Sequence, residues 1–255
     1  MKIVKASLGD KPNANIYIFS DMHIGSAKFN ADLVTSQIQR CLNDPEGYAI
    51  LLGDMINNST KTSVGDTYSE SLTPMEQMQV AIGLFEPLKD KIIGITTGNH
   101  ERRSYKTDGI DLMWFLAKQL GLEDKYDYTA VCLFIAIGSY RNRAPYKYSL
   151  YMTHGDGNGG RTIGSKATGL QRRAEVIDAD IIVAGHTHTP ITFRTARFMC
   201  DRQHDRVYKR DQVFVNAAAT LKYEEYAELC GMAPSSTTMP VIHLSGVANK
   251  IEVTI

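Results

Sequence analysis

IIGITTGNHE, residues 92–101, contains both a fold and a chemistry. The apolar run Ile92 to Thr96 is too short for a stable helix and reads as a buried strand. The chain then leaves it through Gly98-Asn99-His100-Glu101, which delivers an amide, an imidazole and a carboxylate at the strand's end. The same construction recurs along the chain. Ile16 to Phe19 runs into Ser20-Asp21-Met22-His23, Ala49 to Leu52 into Gly53-Asp54, Tyr148 to Met152 into His154-Gly155, and Ile181 to Ala184 into Gly185-His186-Thr187-His188. Val131 to Ile137 is one more short apolar run. Of the seven histidines, only His204 and His243 lie away from strand ends, and these two read as structural. Ligands of open α/β sheets bind beyond the carboxyl ends of the strands, where side chains from separate strands can converge.

Helices separate these runs. Thr73 can cap a helix with Pro74 in its first position and Glu76 completing a capping box. Met75, Met78, Ile82, Phe85 and Leu88 then form an apolar stripe that predicts core. A second helix is expected over Ile110 to Leu120 with Gly121 as its stop and Trp114 on its inner face. Val207 to Val215 and Pro240 to Ile255 read as strands, so the periodicity predicts α/β layers closing with antiparallel strands. No repeat or linker interrupts the 255 residues, which predicts a single domain over 1–255.

Composition excludes several functions. Lys plus Arg and Asp plus Glu both total 28, so no whole-molecule field draws the protein to nucleic acid or membrane. No apolar stretch approaches the roughly 20 residues that cross a bilayer, and no apolar signal core opens the chain, so a soluble, cytoplasmic protein is expected. Cys41, Cys132, Cys200 and Cys230 lack metal-binding or redox spacing and read as buried or incidental thiols.

D-x-H, G-D, G-N-H-E, H and G-H-x-H in this order, from Asp21 to His188, resemble the calcineurin-like metallophosphoesterase superfamily. The resemblance implies a four-layer αββα sandwich of two mixed β-sheets flanked by helices. It implies a dinuclear centre in which Asp21, His23 and His188 hold one divalent cation, Asn99, His154 and His186 the other, and Asp54 bridges both. A shared carboxylate offsets the repulsion of two close cations, and imidazole with carboxylate ligands suits manganese first, with iron, zinc or nickel also accepted. Phosphodiester hydrolysis by a metal-bound hydroxide would follow, with His100 as acid and Glu101 orienting it or supporting the shell behind the ligands. Asn57 stands where many relatives carry a further acid. It could bond a ligand or cap the following turn.

Two local excesses of positive charge flank these signals. Arg141, Arg143, Lys147, Arg161, Lys166, Arg172 and Arg173 face a single acid, Asp156. Arg194, Arg197, Arg202, Arg206, Lys209 and Arg210 follow the G-H-x-H turn. The glycine-rich loop from His154 to Arg161 could bring backbone amides and Arg161 to a phosphate, with a helix starting near Ser165. Arg161 and Asn99 are therefore the candidate substrate-binding residues. Arg102 and Arg103 either face the cleft or solvate a surface. Asp66, Asp108 and Asp111 read as turn or cap residues.

The expected substrate is a phosphoester, more a diester than a monoester. The alternatives are a nuclease on DNA or RNA, for which Tyr140, Tyr146, Tyr148 and Tyr151 read either as a stacking platform or as core packing, and a non-catalytic metal-binding scaffold of the same fold. Sequence leaves a homo-oligomer open, and leaves residues 223–240 as a lid, an interface or a surface excursion.

Overall fold

A computed structural model describes residues 1–59, 70–138, 144–155, 160, 162–223 and 234–255. Twelve strands are found among them: β1 (Lys2–Ser7), β2 (Asn13–Phe19), β3 (Gly47–Leu51), β4 (Ile92–Thr96), β5 (Tyr126–Asp127), β6 (Ala130–Ile137), β7 (Tyr146–Thr153), β8 (Ile181–Ala184), β9 (Ile191–Asp201), β10 (Arg206–Asn216), β11 (Val241–Ser245) and β12 (Ile251–Thr254). The helices are α1 (Ala31–Asn43), α2 (Pro74–Phe85), α3 (Glu101–Asp108), α4 (Leu112–Gln119) and α5 (Ile163–Gln171). One six-stranded sheet has the order β1-β6-β7-β8-β10-β9, and the other β12-β11-β2-β3-β4-β5. Both mix parallel and antiparallel pairs.

The central strands are buried on both faces, which is why they read as continuous apolar runs. Successive side chains of β2 point to opposite sides: Ile16 and Ile18 enter a core shared with Ile50, Leu52, Leu150, Met152, Ile181 and Val183, contributed by both sheets. Tyr17 and Phe19 face the other way, with Leu51 and Ile95, onto Val34, Ile38, Met78, Phe85, Met113 and Leu116 from α1, α2 and α4. The outer face of the other sheet offers Tyr151, Ile182 and Phe214 to Leu170 of α5. The layers therefore run helix, sheet, sheet, helix: an α/β, αββα sandwich.

The capping box at Thr73 and Glu76 is formed, and Asp111 caps α4 through the Trp114 amide. Two core expectations need correction. Met75 is 52% exposed at the first turn of α2, and Trp114 is 44% exposed. The apolar face of α4 is made by Leu112, Met113, Leu116 and Ala117, and the Trp114 ring instead lies beneath the Lys118 ammonium. Cys41 and Cys132 are buried and Cys200 is exposed, all as free thiols; Cys230 lies outside the described residues. Among the described residues, no helix is long and apolar enough to cross a membrane.

Candidate metal centre

Strands β2, β3 and β4 of one sheet and β7 and β8 of the other end at the same rim, and the turns that follow carry all seven expected ligands. Two close approaches fix the turns. A β-carbon on Gly98 would lie 2.1 Å from Asp54 Oδ1, and one on Gly185 would lie 2.3 Å from Ser20 Oγ, so only glycine lets the loops meet there. Asp21, His23, Asp54, His186 and His188 all take left-handed backbone, with φ between 51° and 67°. Residues with a β-carbon seldom adopt it.

Ligand atoms of Asp21, His23 and His188 lie within 4.8 Å of one another, as do those of Asp54, His154 and His186, and those of His23, Asp54 and His100. Asp54 belongs to the last two groups, which places its carboxylate between the halves of the cluster. Asn99 Oδ1 is 2.6 Å from His186 Nδ1 and 3.0 Å from His154 Nε2. His154 Nδ1 lies 3.0 Å from the Leu52 carbonyl. As that oxygen can only accept, Nδ1 carries a proton, and Nε2 is the nitrogen that can offer a lone pair to a metal once its own proton is lost.

These residues suit cations. His23 Nε2 and His188 Nε2 approach to 3.3 Å, as do His186 Nδ1 and His154 Nε2. Two neutral imidazole lone pairs that close need a positive charge between them. Asp21 Oδ1 is buried without a hydrogen bond, even though His188 Nε2 stands 3.2 Å away. The other oxygen, Oδ2, accepts from Ser20 Oγ at 2.5 Å and the His186 amide at 3.0 Å. An orphaned carboxylate oxygen among converging imidazoles is the donor set of a divalent metal.

Without metal, protons do part of that work. Burial disfavours charge on His154, but the Asp54 carboxylate at 3.2 Å outweighs it and raises the imidazole to about 9. His188 is likewise held up by Asp21 against its burial. Burial and the neighbouring His100 push His23 down to about 3. His186 is lowered by burial and by His154. Asp21 and Asp54, buried as they are, stay below the usual carboxylate range because the histidines outweigh desolvation.

His100 stands at the edge of the cluster, its Nε2 3.8 Å from Asp54 Oδ2 and its Nδ1 2.6 Å from the Asn57 carbonyl. Glu101 is not beside that ring. It lies buried beneath the turns, where Oε1 accepts from the amides of Met55 and Ile56 and Oε2 from those of Asp54 and Gly98. Burial and Asp54 raise its pKa, yet four N–H donors leave no acceptor for a carboxyl proton, and the charged form satisfies them all. Of its two expected parts, the structure favours support behind the ligands. The Asn57 side chain turns from the cluster to Ser59 and Glu70, and its carbonyl meets His100.

Arg161 lies outside the described residues, as do Tyr140, Arg141, Arg143, Asp156 and Asp66. The other arms of the basic runs are largely occupied. Arg206 pairs with Asp201, Lys209 with Asp211, and Arg210 with Asp178 and Asp180. Arg197 donates to Gln212 and Arg194 to the Ile251 carbonyl. Tyr148 is core, with its hydroxyl on the Ser245 and Ala248 carbonyls. Tyr146 bonds the Val247 carbonyl and Tyr151 is buried. No stacking platform is formed by these three. Within 223–240, Ser235 donates to the His188 carbonyl and Gln37 of α1 to that of Thr237, so this end of the segment is tied to the ligand turn.

Sequence reading missed Ser20, Glu70 and the part played by Arg103. Ser20 could have been found as a small hydroxyl beside D-x-H. Glu70, which accepts from Asn57, Ser59 and Gln77, carries no local signal.

Residues 14–190 match the sequence model of the calcineurin-like phosphoesterase family. Among solved structures, a metallophosphoesterase from Sphaerobacter thermophilus is 12% identical, over 94% of this chain and 87% of that one, with a TM-score of 0.43. A conserved uncharacterized protein, titled a predicted phosphoesterase, from Streptococcus pneumoniae is 12% identical over 95% and 90%, with a TM-score of 0.38. Wild-type Vps29 complexed with zinc, from Entamoeba histolytica, is 10% identical over 94% and 97%, with a TM-score of 0.37. No curated protein matches the chain.

Proposed function

Because the chain belongs to the calcineurin-like phosphoesterase family, we propose that it hydrolyses a phosphodiester at a dinuclear centre held by Asp21, His23, Asp54, Asn99, His154, His186 and His188. The observation that carries this reading is the convergence of imidazole lone pairs on two carboxylates, Asp54 being common to two ligand groups. Two divalent cations, manganese before iron, zinc or nickel, would supply Lewis-acid stabilisation of the phosphoryl oxygens and activation of water near neutral pH.

The remaining steps belong to the chain. Asp54 offers one carboxylate to both halves of the centre. Asn99 contributes an amide oxygen without adding charge, and its amide group also borders the substrate. His100 keeps Nδ1–H on the Asn57 carbonyl, which aims Nε2 at the centre, and the ring acts as acid when Nε2 has taken up a proton that it passes to the leaving oxygen. Glu101 fixes the turns that present Asp54 and Asn99. Arg161, assigned from sequence alone, is the further proposed phosphate-binding residue.

A diester suits the surroundings better than a monoester or a nucleic acid. Arg103 is the one cationic side chain among the described residues that hydrogen-bonds a side chain of the proposed site, which matches a single negative charge. The cations after β8 are largely engaged in ion pairs and carbonyl contacts, leaving few to track a polyphosphate backbone.

The test is hydrolysis of a synthetic aryl diester, an aryl monoester, and single- and double-stranded DNA by manganese-loaded protein at two salt concentrations. Diester turnover with little salt dependence is expected. Turnover of DNA that falls steeply with salt would favour the nuclease, and no turnover of any substrate would sink the enzymatic reading. Exchange of His100 for alanine should lower the diester rate by about 10²–10⁴-fold.

A further inference from the structure

Deepening the phosphodiesterase reading on which it rests, we infer that Arg103 binds a non-bridging oxygen of the substrate's phosphoryl group and positions the His100 imidazole beside it. Arg103 is half-buried on α3, one helical turn after His100. Its Nη2 stands 3.0 Å from His100 Nε2, and its Nη1 donates to the carbonyls of Asn57 at 3.1 Å and Asn58 at 3.4 Å. These contacts hold the guanidinium at the rim, since Nε2 itself is 3.8 Å from Asp54 Oδ2.

Asp54, Glu101 and Glu70 favour the Arg103 charge from a distance, against its burial. Among the described residues no carboxylate comes within ion-pair distance of Arg103, whereas Arg206 pairs with one and Arg210 with two. Its neighbour Arg102 shows the structural alternative. That guanidinium turns away to the Thr97 and Tyr128 carbonyls and lies over the Tyr128 ring. A half-buried cation, braced by carbonyls and facing a cluster that would hold a phosphoester, is satisfied when the phosphoryl group arrives.

The contact with His100 gives the site an order of events. A guanidinium has only donors, so Arg103 occupies the lone pair of Nε2 while Nδ1–H donates to the Asn57 carbonyl. Nε2 carries no proton in that state; once the guanidinium has turned from it, Nε2 takes a proton from water and then gives it to the leaving oxygen. An anionic oxygen is the stronger acceptor and draws the guanidinium away. Arg103 thus keeps the ring in place before substrate binds and holds the phosphoryl group afterwards.

Inorganic phosphate is the probe. Its affinity for the manganese-loaded protein is measured by calorimetry in the parent, Arg103→Gln and Arg103→Lys, together with metal content, melting temperature, and kcat and KM on an aryl diester. Arg103→Gln should bind phosphate about tenfold or more weakly and raise KM, while keeping the parent's metal content. Arg103→Lys should recover part of the affinity. A role limited to bracing the Asn57 turn would move melting temperature and kcat and leave phosphate affinity within about twofold, which would overturn the proposal. If Arg103→Gln fails to fold, Arg103→Lys against the parent decides: a lysine keeps the charge but loses the fork, so a weakening of severalfold supports the proposal and equal affinity refutes it. Failure of the underlying reading is distinct, because the parent itself would then take up no manganese, and the proposal would fall with it.

Discussion

A β-carbon makes left-handed backbone unfavourable by about 1–2 kcal/mol per residue, and Asp21, His23, Asp54, His186 and His188 all adopt it. Aspartate and histidine tolerate that conformation better than most residues with a β-carbon, though less well than glycine. It persists because the strands on either side fix the turn, and it aims five side chains inward. At His186 the backbone and side-chain parts can be separated, since the backbone amide holds Asp21 Oδ2 whatever the side chain. In chelator, His186→Gly should melt above His186→Ala, reversing the usual advantage of alanine, because glycine removes the strain and alanine keeps it. Both should take up less metal than the parent. Thermal melts with and without chelator decide it, and an alanine variant that melts higher would show that the turn is unstrained. These candidate ligands were legible in sequence because each motif lies beside a strand end. Their backbone conformation was not, since it depends on loops such as Gly98 and Gly185 packing against partners far along the chain.

Glu101 is the residue through which elements become a site. Its carboxylate ties the turn after β3 to the turn after β4 by four buried amide bonds. Glu101→Gln keeps the size but offers one acceptor oxygen, and its NH₂ group would face the N–H groups left over. Buried unsatisfied donors cost about 1–3 kcal/mol each, so the metal-free variant should lose roughly 2–4 kcal/mol in urea unfolding and hold metal more weakly. A loss under about 1 kcal/mol would show that the turns hold themselves. The element map itself divides by burial. Strands β2, β3, β4, β6, β7 and β8 have core on both sides and could be read as apolar runs. Edge strand β1 buries only Val4, and β9 buries only Ile191, so their sequences carry almost no apolar pattern. Helix α1 escaped because its buried stripe of Val34, Ile38 and Cys41 includes Gln37, whose NH₂ group donates to a carbonyl brought from residue 237. Trp114 was misplaced for the converse reason. Leu112, Met113 and Leu116 already fill the face against the sheet, and the ring finds a cation at the surface.

At the scale of the whole molecule, the proposed centre joins the two sheets, since Asp21, His23, Asp54 and Asn99 follow strands of one and His154, His186 and His188 follow strands of the other. Cations bound there stabilise the assembled sandwich by mass action, as the unfolded chain brings no such set together. The proton on His154 sets the pH dependence. Its pKa in the folded, metal-free protein is about 9, above the ordinary 6.5. A raised histidine contributes stability that is fully present below about 6.5 and is lost as pH rises through about 9. The metal-free protein should therefore melt progressively lower across that window. His23, lowered to about 3, is neutral in the folded protein throughout, and its unfolded ring, half protonated at pH 6.5, opposes the fall only at the lower edge of the window. The metal competes for the same nitrogen, so its affinity should rise about tenfold per pH unit until the proton is gone. Between pH 6.5 and 8.5 that is about 3 kcal/mol of additional stabilisation at fixed excess manganese, or about 5–10 °C for a chain of this size. Calorimetric melts with manganese and with chelator at the two pH values measure it directly. An increment at pH 8.5 equal to or smaller than that at pH 6.5 would mean that His154 gives up no proton on binding, and so is not a ligand in the sense proposed.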